Sequence, residues 1–313
     1  MLSIQNVLLS STLFSPRGKR SSNLVLPQAH CIPSQNTITT SREQTTMQNT
    51  EQSRRFCSAV SLNNIGVRLL ERNCYAQALD SLEHAHALIT GQCTTPDFGQ
   101  NHVNRALQHL SYPRPTKKTI LLLETLTLTS DGCLVKGETS SGESAFDQIL
   151  EEVPCSHLAF AIRIEDDCKT TATPPQSATI AHNLGIACYG VSRSLRKSNK
   201  IGQRFGDASV HLAHSATGQL LNHLAALEHT SMAPTYQQGQ TQYQADMHAL
   251  LLAALNTLFH LQQEFSMTTD ADESYGMLVH IRNEALDLQQ QAQEDISYLL
   301  RRQVRSGGSA PAA

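Results

Sequence analysis

Apolar positions along this chain fall into helical spacing in three regions and into alternation in one. Leu62, Ile65, Leu69 and Leu70 stand at i, i+3, i+7 and i+8, and Ala78, Leu79, Leu82, Ala85 and Ile89 continue that spacing. This is the pattern of helices that each bury one face. Glu71-Arg72-Asn73-Cys74 lies between the two runs and is short enough to turn one helix back on the other. Ile180, Leu184, Ala187 and Cys188, followed by Ala208, Leu212, Ser215 and Leu220, predict a second pair, with the polar stretch Arg193 to Gln203 as a surface loop between them. Met247, Leu250, Leu251, Leu255, Leu258, Phe259 and Leu261 predict a strongly apolar helix. Ile281, Ala285, Leu288, Ala292, Ile296 and Leu299 predict its partner, opened by N-cap signals over Thr269 to Glu273.

The stretch between the first two pairs reads differently. Thr95-Pro96, Tyr112-Pro113-Arg114-Pro115 and Pro174-Pro175 punctuate it, and only 100–110 has room for a short helix. Ile120 to Thr129 and Leu158 to Ile164 alternate and predict two strands, with Gly132, Gly137 and Gly142 in the loop between them. Two strands alone are marginal in water, so they pack on the helices or stay partly ordered. The expected fold class is mainly α: antiparallel helix pairs with a small β-containing insert. Its parts are a tail over 1–50, a first pair over 51–92, the insert over 93–176, a second pair over 177–230, a third over 241–305 and a flexible tail over 306–313. Fifteen of the first fifty residues are Ser or Thr and Glu43 is their one acid, beside Arg17, Lys19, Arg20 and Arg42. That composition fits a disordered tail, with an organellar transit segment over 1–42 as the alternative.

The first pair carries a spacing with a physical meaning. Leu62, Ile65 and Gly66 on one helix, then Ala78, Leu82 and Ala85 on the next, put small residues where two helices touch and a Leu in the groove between them. This resembles a tetratricopeptide (TPR) repeat, with Leu62 in place of the usual Trp and Thr90 in place of the closing Pro. Leu184-Gly185 with Ala208, Leu212 and Ser215 resembles a second copy, with about eleven extra residues between its helices; Leu255 to Phe259 with Tyr275 is weaker, because Phe replaces the Gly. The chain is thus similar to diverged, insert-bearing TPR-like proteins of algae and diatoms. The resemblance implies a concave groove that receives a polypeptide partner. It places Asn63, Asn64, Val67 and Glu71 of the first repeat and His182, Asn183 and Ile186 of the second along that groove. In the chaperone-binding branch of the family, Lys, Arg and Asn clamp a C-terminal carboxylate. Here only Asn183 fits that pattern, and Asn63, Val67 and Thr257 depart from it, so a chaperone tail is not the expected ligand.

Composition narrows the function further. With 24 Lys+Arg against 27 Asp+Glu and a net charge of -3, the chain lacks the clustered positive charge that phosphate neutralisation needs, so no nucleic-acid partner is expected. No apolar run approaches a membrane span. The eight cysteines form no C-x-x-C pair, as expected for reduced thiols in an intracellular protein. His211-x-x-His214 lacks the general-base Glu of a zinc hydrolase and reads as a solvated flank. Glu165-Asp166-Asp167 reads as a solvated loop, and Arg193, Arg196, Lys197, Lys200 and Arg204 as a solubilising cluster. Gly-rich phosphate loops are missing from the sequence. The expectation is a non-catalytic, cytoplasmic protein–protein interaction module without cofactor or metal. The alternative is an enzyme of unrecognised type that uses His, Asp and Glu of the insert and second repeat.

Overall fold

Asn73 and Ser266 take up left-handed backbone, φ 58° and 59°, at the two shortest connections between described helices. The computed structural model describes residues 38–92, 98–116, 122–130, 132–136, 149, 158–165, 172–195, 199–230 and 237–307. It divides into Met1–Asn49 and Thr50–Ala313; of the first unit the described part is the opening of one helix, and all the other described elements belong to the second. The described elements are α1 (Ile38–Glu71), α2 (Tyr75–Ile89), α3 (Phe98–Ser111), β1 (Leu122–Leu128), β2 (Leu134–Lys136), β3 (Leu158–Ile164), α4 (Pro174–Ser194), α5 (Lys200–Thr230), α6 (Gln237–Glu264) and α7 (Thr268–Gly307). The protein is mainly helical with one small sheet, as the spacing predicts.

The first reversal closes α1 through Cys74 N–H to the Leu69 carbonyl and Asn73 N–H to the Leu70 carbonyl, both 2.8 Å. The second closes α6 in the same way, Met267 N–H to Gln262 at 2.8 Å and Ser266 N–H to Gln263 at 3.1 Å. This paired bonding satisfies carbonyls that a helix end leaves orphaned, and it needs one left-handed residue, a conformation Asn tolerates well. Within the first hairpin, a Cβ on Gly66 would lie 2.5 Å from Leu82 Cγ, so the glycine makes room for the leucine in the groove. Gly185 lies in the same kind of contact with α5, where a Cβ would come within 3.3 Å of the Ser209 carbonyl. Successive pairs stack: α2 lies on α4, α5 on α6, and α4 on α6.

Three differences from expectation have simple causes. Helix α1 begins at Ile38, inside the stretch expected to be tail; Glu43, Gln44, Met47, Gln48, Glu51 and Gln52 are good helix formers but supply almost no apolar period. Helix α5 begins at Lys200, so the surface loop is shorter than 193–203, because Phe205 and Ala208 already pack on the core. The sheet has three strands, in the order β2-β1-β3. The unexpected strand, β2, is three residues long, too short to alternate, and pairs antiparallel with β1 through the turn at Gly132 (φ 87°). β1 and β3 are parallel, with Leu122 opposite Leu158 and Leu128 opposite Ile164. Gly137, Gly142, Asp166, Asp167, Arg196 and Lys197 lie outside the described residues.

β3 is buried on both faces. Phe160 and Ile162 join the cluster built by α6, with Leu250, Leu251 and Leu255. Ala159, Ala161 and Ile164 join the cluster of α1, α2 and α4, with Leu62, Tyr75, Leu82 and Leu184. A strand with two apolar faces has to be covered from both sides, and the helices supply the cover.

Candidate functional site

One edge of β3 pairs with β1; the other meets side chains of α1 and α4. In a parallel strand the N–H and C=O of one residue point to the same side, and alternate residues share an edge. Ile162 and Ile164 therefore present their peptide groups away from β1. An Asn side chain holds one carbonyl and one NH2, so it bonds such a residue as a neighbouring strand would. Asn183 accepts from the Ile162 N–H at 2.9 Å and donates to the Ile162 carbonyl at 2.7 Å. Asn64 treats Ile164 alike, accepting at 2.9 Å and donating at 2.7 Å. Asn63 donates to the Ile162 carbonyl at 3.1 Å and accepts from Asn183 at 2.9 Å, tying α1 to α4 across the strand. One residue before Asn183, His182 donates from Nε2 to the Phe160 carbonyl at 2.8 Å.

Helical spacing explains how two side chains per helix reach the strand. Asn63 and Asn64, like His182 and Asn183, are sequence neighbours about 100° apart on their helices, so each pair straddles the line facing β3. Asn63, His182 and Asn183 are almost wholly buried, where an unpaired amide would be costly. The donor role of Nε2 leaves the Nδ1 of His182 as the acceptor nitrogen, buried with no hydrogen-bond partner. Burial pushes this imidazole down to about 4, against the smaller upward pull of its bond to Phe160.

The remaining residues expected along the groove also face inward or onto the sheet. Val67 and Ile186 are buried in the cluster of α1, α2 and α4. Glu71, at the end of α1, accepts from Arg163 of β3 at 2.8 and 3.0 Å and from the Thr125 hydroxyl of β1 at 2.6 Å. All seven residues are thus brought to one region, and five of them bond the sheet's backbone or side chains directly. The strand they bond is the chain's own β3.

A second polar region, between α2 and α3, was not legible in the sequence. Gln77 donates to His109 Nδ1 at 3.2 Å, so His109 carries its proton on Nε2 and points it at Asp80 at 3.3 Å. Arg105 Nε stands 3.3 Å from the same carboxylate. His84 bonds the Asp80 carbonyl through Nδ1, and its ring stacks on His102 with centroids 3.5 Å apart. Burial, with the neighbouring His84 adding to it, pushes His102 down to about 4. Burial and the Asp80 carboxylate push Glu83 up to about 7. Gln77 also reaches past α3, donating to the Tyr112 carbonyl at 3.2 Å and accepting from the Arg114 N–H at 2.7 Å.

His211 and His214 are both exposed, in keeping with a solvated flank. Among the described residues, no group of three or more His, Cys, Asp or Glu is placed to hold a metal ion. Burial pushes the Cys74 and Cys188 thiols up, away from the thiolate form that nucleophilic chemistry needs. No described helix is long and apolar enough to cross a membrane. No protein-family model, no curated protein and no solved structure matches this chain.

Proposed function

We propose that this chain is a non-catalytic protein–protein interaction module of TPR-like build. Its helical groove is loaded in cis with its own strand, and it engages polypeptide partners through the surfaces around that filled groove. One observation carries the reading: Asn63, Asn64, His182 and Asn183 bind an extended backbone edge, the chemistry a helical groove uses for a peptide, and they spend it on Phe160, Ile162 and Ile164. The stacked pairs and the small residues at their crossings, Gly66 and Gly185, agree with the TPR-like resemblance. Burial of β3 on both faces argues against exchange of this strand for another. Releasing Phe160, Ile162 and Ile164 alone would expose side chains worth about 1.5–3 kcal/mol each, a large share of a domain's stability.

The reading is tested by purifying the full chain from its native cells after lysine cross-linking, beside a folded control of matched size and charge. A polypeptide enriched on the chain and cross-linked to its outer surface is the expected result. A chain folded by circular dichroism that enriches no polypeptide over the control would overturn it.

A further inference from the structure

The connection from α3 to β1 opens with Tyr112-Pro113-Arg114-Pro115, and all four residues are exposed. Tyr112 is 78% exposed, the largest value among the exposed apolar side chains of the described residues. The backbone of this segment has little freedom. Pro113 and Pro115 fix their own φ, and Tyr112 and Arg114, each preceding a proline, are pushed from helical to extended conformation. Helix α3 therefore stops at Ser111. Extended chain with alternate prolines favours the left-handed polyproline II form, whose three residues per turn set Tyr112 and Pro115 on one ridge and Arg114 on another.

The body of the protein grips this segment from one side. The Gln77 amide bonds both sides of Pro113, through the Tyr112 carbonyl and the Arg114 N–H. Just before it, Arg72 donates to the Leu110 carbonyl at 3.1 Å; just after it, the Thr116 N–H and hydroxyl both reach the Asn73 carbonyl, at 3.0 and 3.2 Å. Those three clips come from the α1–α2 reversal and the first turn of α2. The backbone is held and the side chains are left outward, the reverse of the β3 edge, where side chains are spent on holding backbone. From Phe98 to Leu123 the sequence has no acid and carries Arg105, Arg114, Lys117 and Lys118; Arg105 is spent on the Asp80 carboxylate, and Arg114 is the exposed cation within the segment.

We propose that Tyr112–Pro115 is a presented ligand for a partner domain with an aromatic-lined, acid-rimmed groove that reads polyproline II. Aromatic rings of that groove take the Tyr112 and Pro115 ridge, and a carboxylate at its rim takes the Arg114 guanidinium. The segment is ordered before it binds, so the partner bears little of the ordering cost. This rests on the interaction-module reading and adds the partner's chemistry.

The test immobilises the full chain and measures binding of a panel of purified SH3 and WW domains, with wild type, the pair Pro113→Ala and Pro115→Ala, Tyr112→Ser, Arg114→Glu and Gln77→Ala side by side. Tyr112→Ser and Arg114→Glu keep both prolines, so they report even if the proline pair disturbs α3. The expected result is at least one domain that binds wild type at micromolar Kd, weakens about tenfold or more in the first three variants, and about threefold in Gln77→Ala, where only the pre-ordering is lost. A panel in which no domain prefers wild type to these variants overturns the proposal. If cross-linked partners from native cells stay on the proline and Tyr112 variants, the presented-ligand proposal fails while the interaction-module reading stands; if no partner is enriched on wild type, both fail.

Discussion

Two polar regions join helices to their neighbours in this molecule, and they are built to opposite rules. At the β3 edge, three neutral amides and one imidazole pair the outward peptide groups of Ile162 and Ile164 and the Phe160 carbonyl, almost all of it out of water. Between α2 and α3, Gln77, Asp80, Arg105, His84, His102 and His109 form a half-exposed seam dominated by titratable groups. Neutral amides bury cheaply when fully bonded, whereas charged partners keep some access to water. The first region is therefore expected to unfold only with the global fold, and the second to fasten one short helix that opens at lower cost. The β3 edge also shows how a mixed sheet avoids pairing with other chains along one edge: asparagines of the covering helices occupy the place where a foreign strand would add.

The sharpest way to break the comparison is Asn183→Leu. It orphans the buried Ile162 N–H and the side-chain carbonyl of Asn63, while the Ile162 carbonyl keeps its bond from Asn63. With roughly 1–3 kcal/mol for each buried group left unpaired, the expected loss is about 4 kcal/mol of global stability, read from urea unfolding. A loss under about 1 kcal/mol would mean that the edge is not part of the cooperative core.

Acid gives the next largest effect. The His182 imidazole is held at about 4 in the folded chain, against an ordinary value of 6.5. Below pH 6.5 the unfolded chain takes up a proton that the folded chain refuses, so stability present at neutral pH is lost as the pH falls from 6.5 toward 4, by up to about 3 kcal/mol. His182→Gln keeps a donor for the Phe160 carbonyl and removes the titration. Urea midpoints are expected to fall less for this variant than for wild type between pH 7, 5.5 and 4.5. His102 is pushed down to about 4 as well, but in the seam, so its protonation is expected to speed hydrogen exchange in α3 first and to leave α4 unchanged.

Gly66→Ala probes the hairpin beneath both regions. The new Cβ meets Leu82 Cγ at 2.5 Å, and Leu82 is fully buried, so the clash is relieved only by moving the core. The expected cost is about 2 kcal/mol by thermal unfolding. A double-mutant cycle with Leu82→Ala should recover part of it as a coupling energy, whereas strict additivity would show that the two side chains do not meet.

Much of this was legible from spacing, and the rest was not for identifiable reasons. Gly66, Ala78 and Leu82 announce a hairpin because close helix approach depends on residue size at fixed intervals. Asn63, Asn64 and Asn183 were expected along a partner-binding groove, and the sequence does not say that they bond the edge of β3. Asn183 bonds Ile162 at a separation of 21 residues and Asn63 does so at 99, and no local pattern encodes pairs that distant. The α2–α3 seam left no trace because its members share neither a period nor a motif: Gln77, Asp80 and His84 lie along one polar helix face, and α3 buries little but Ala106. Strand β2 left no signal because three residues cannot alternate.

The smallest effect separates the two regions most cleanly. Gln77→Ala removes the bond to His109 and both bonds to the Tyr112–Arg114 backbone, three contacts around α3. The bonds to Tyr112 and Arg114 are solvent-exposed, so water replaces most of what is lost and the global cost is about 1 kcal/mol or less. Locally the expectation is different. Amides of α3 should exchange severalfold faster, while those of α1 and α4 along β3 keep their protection, because the seam opens below the free energy of global unfolding. Exchange that accelerates equally in α3, α1 and α4 would mean that seam and strand edge form a single cooperative unit rather than two.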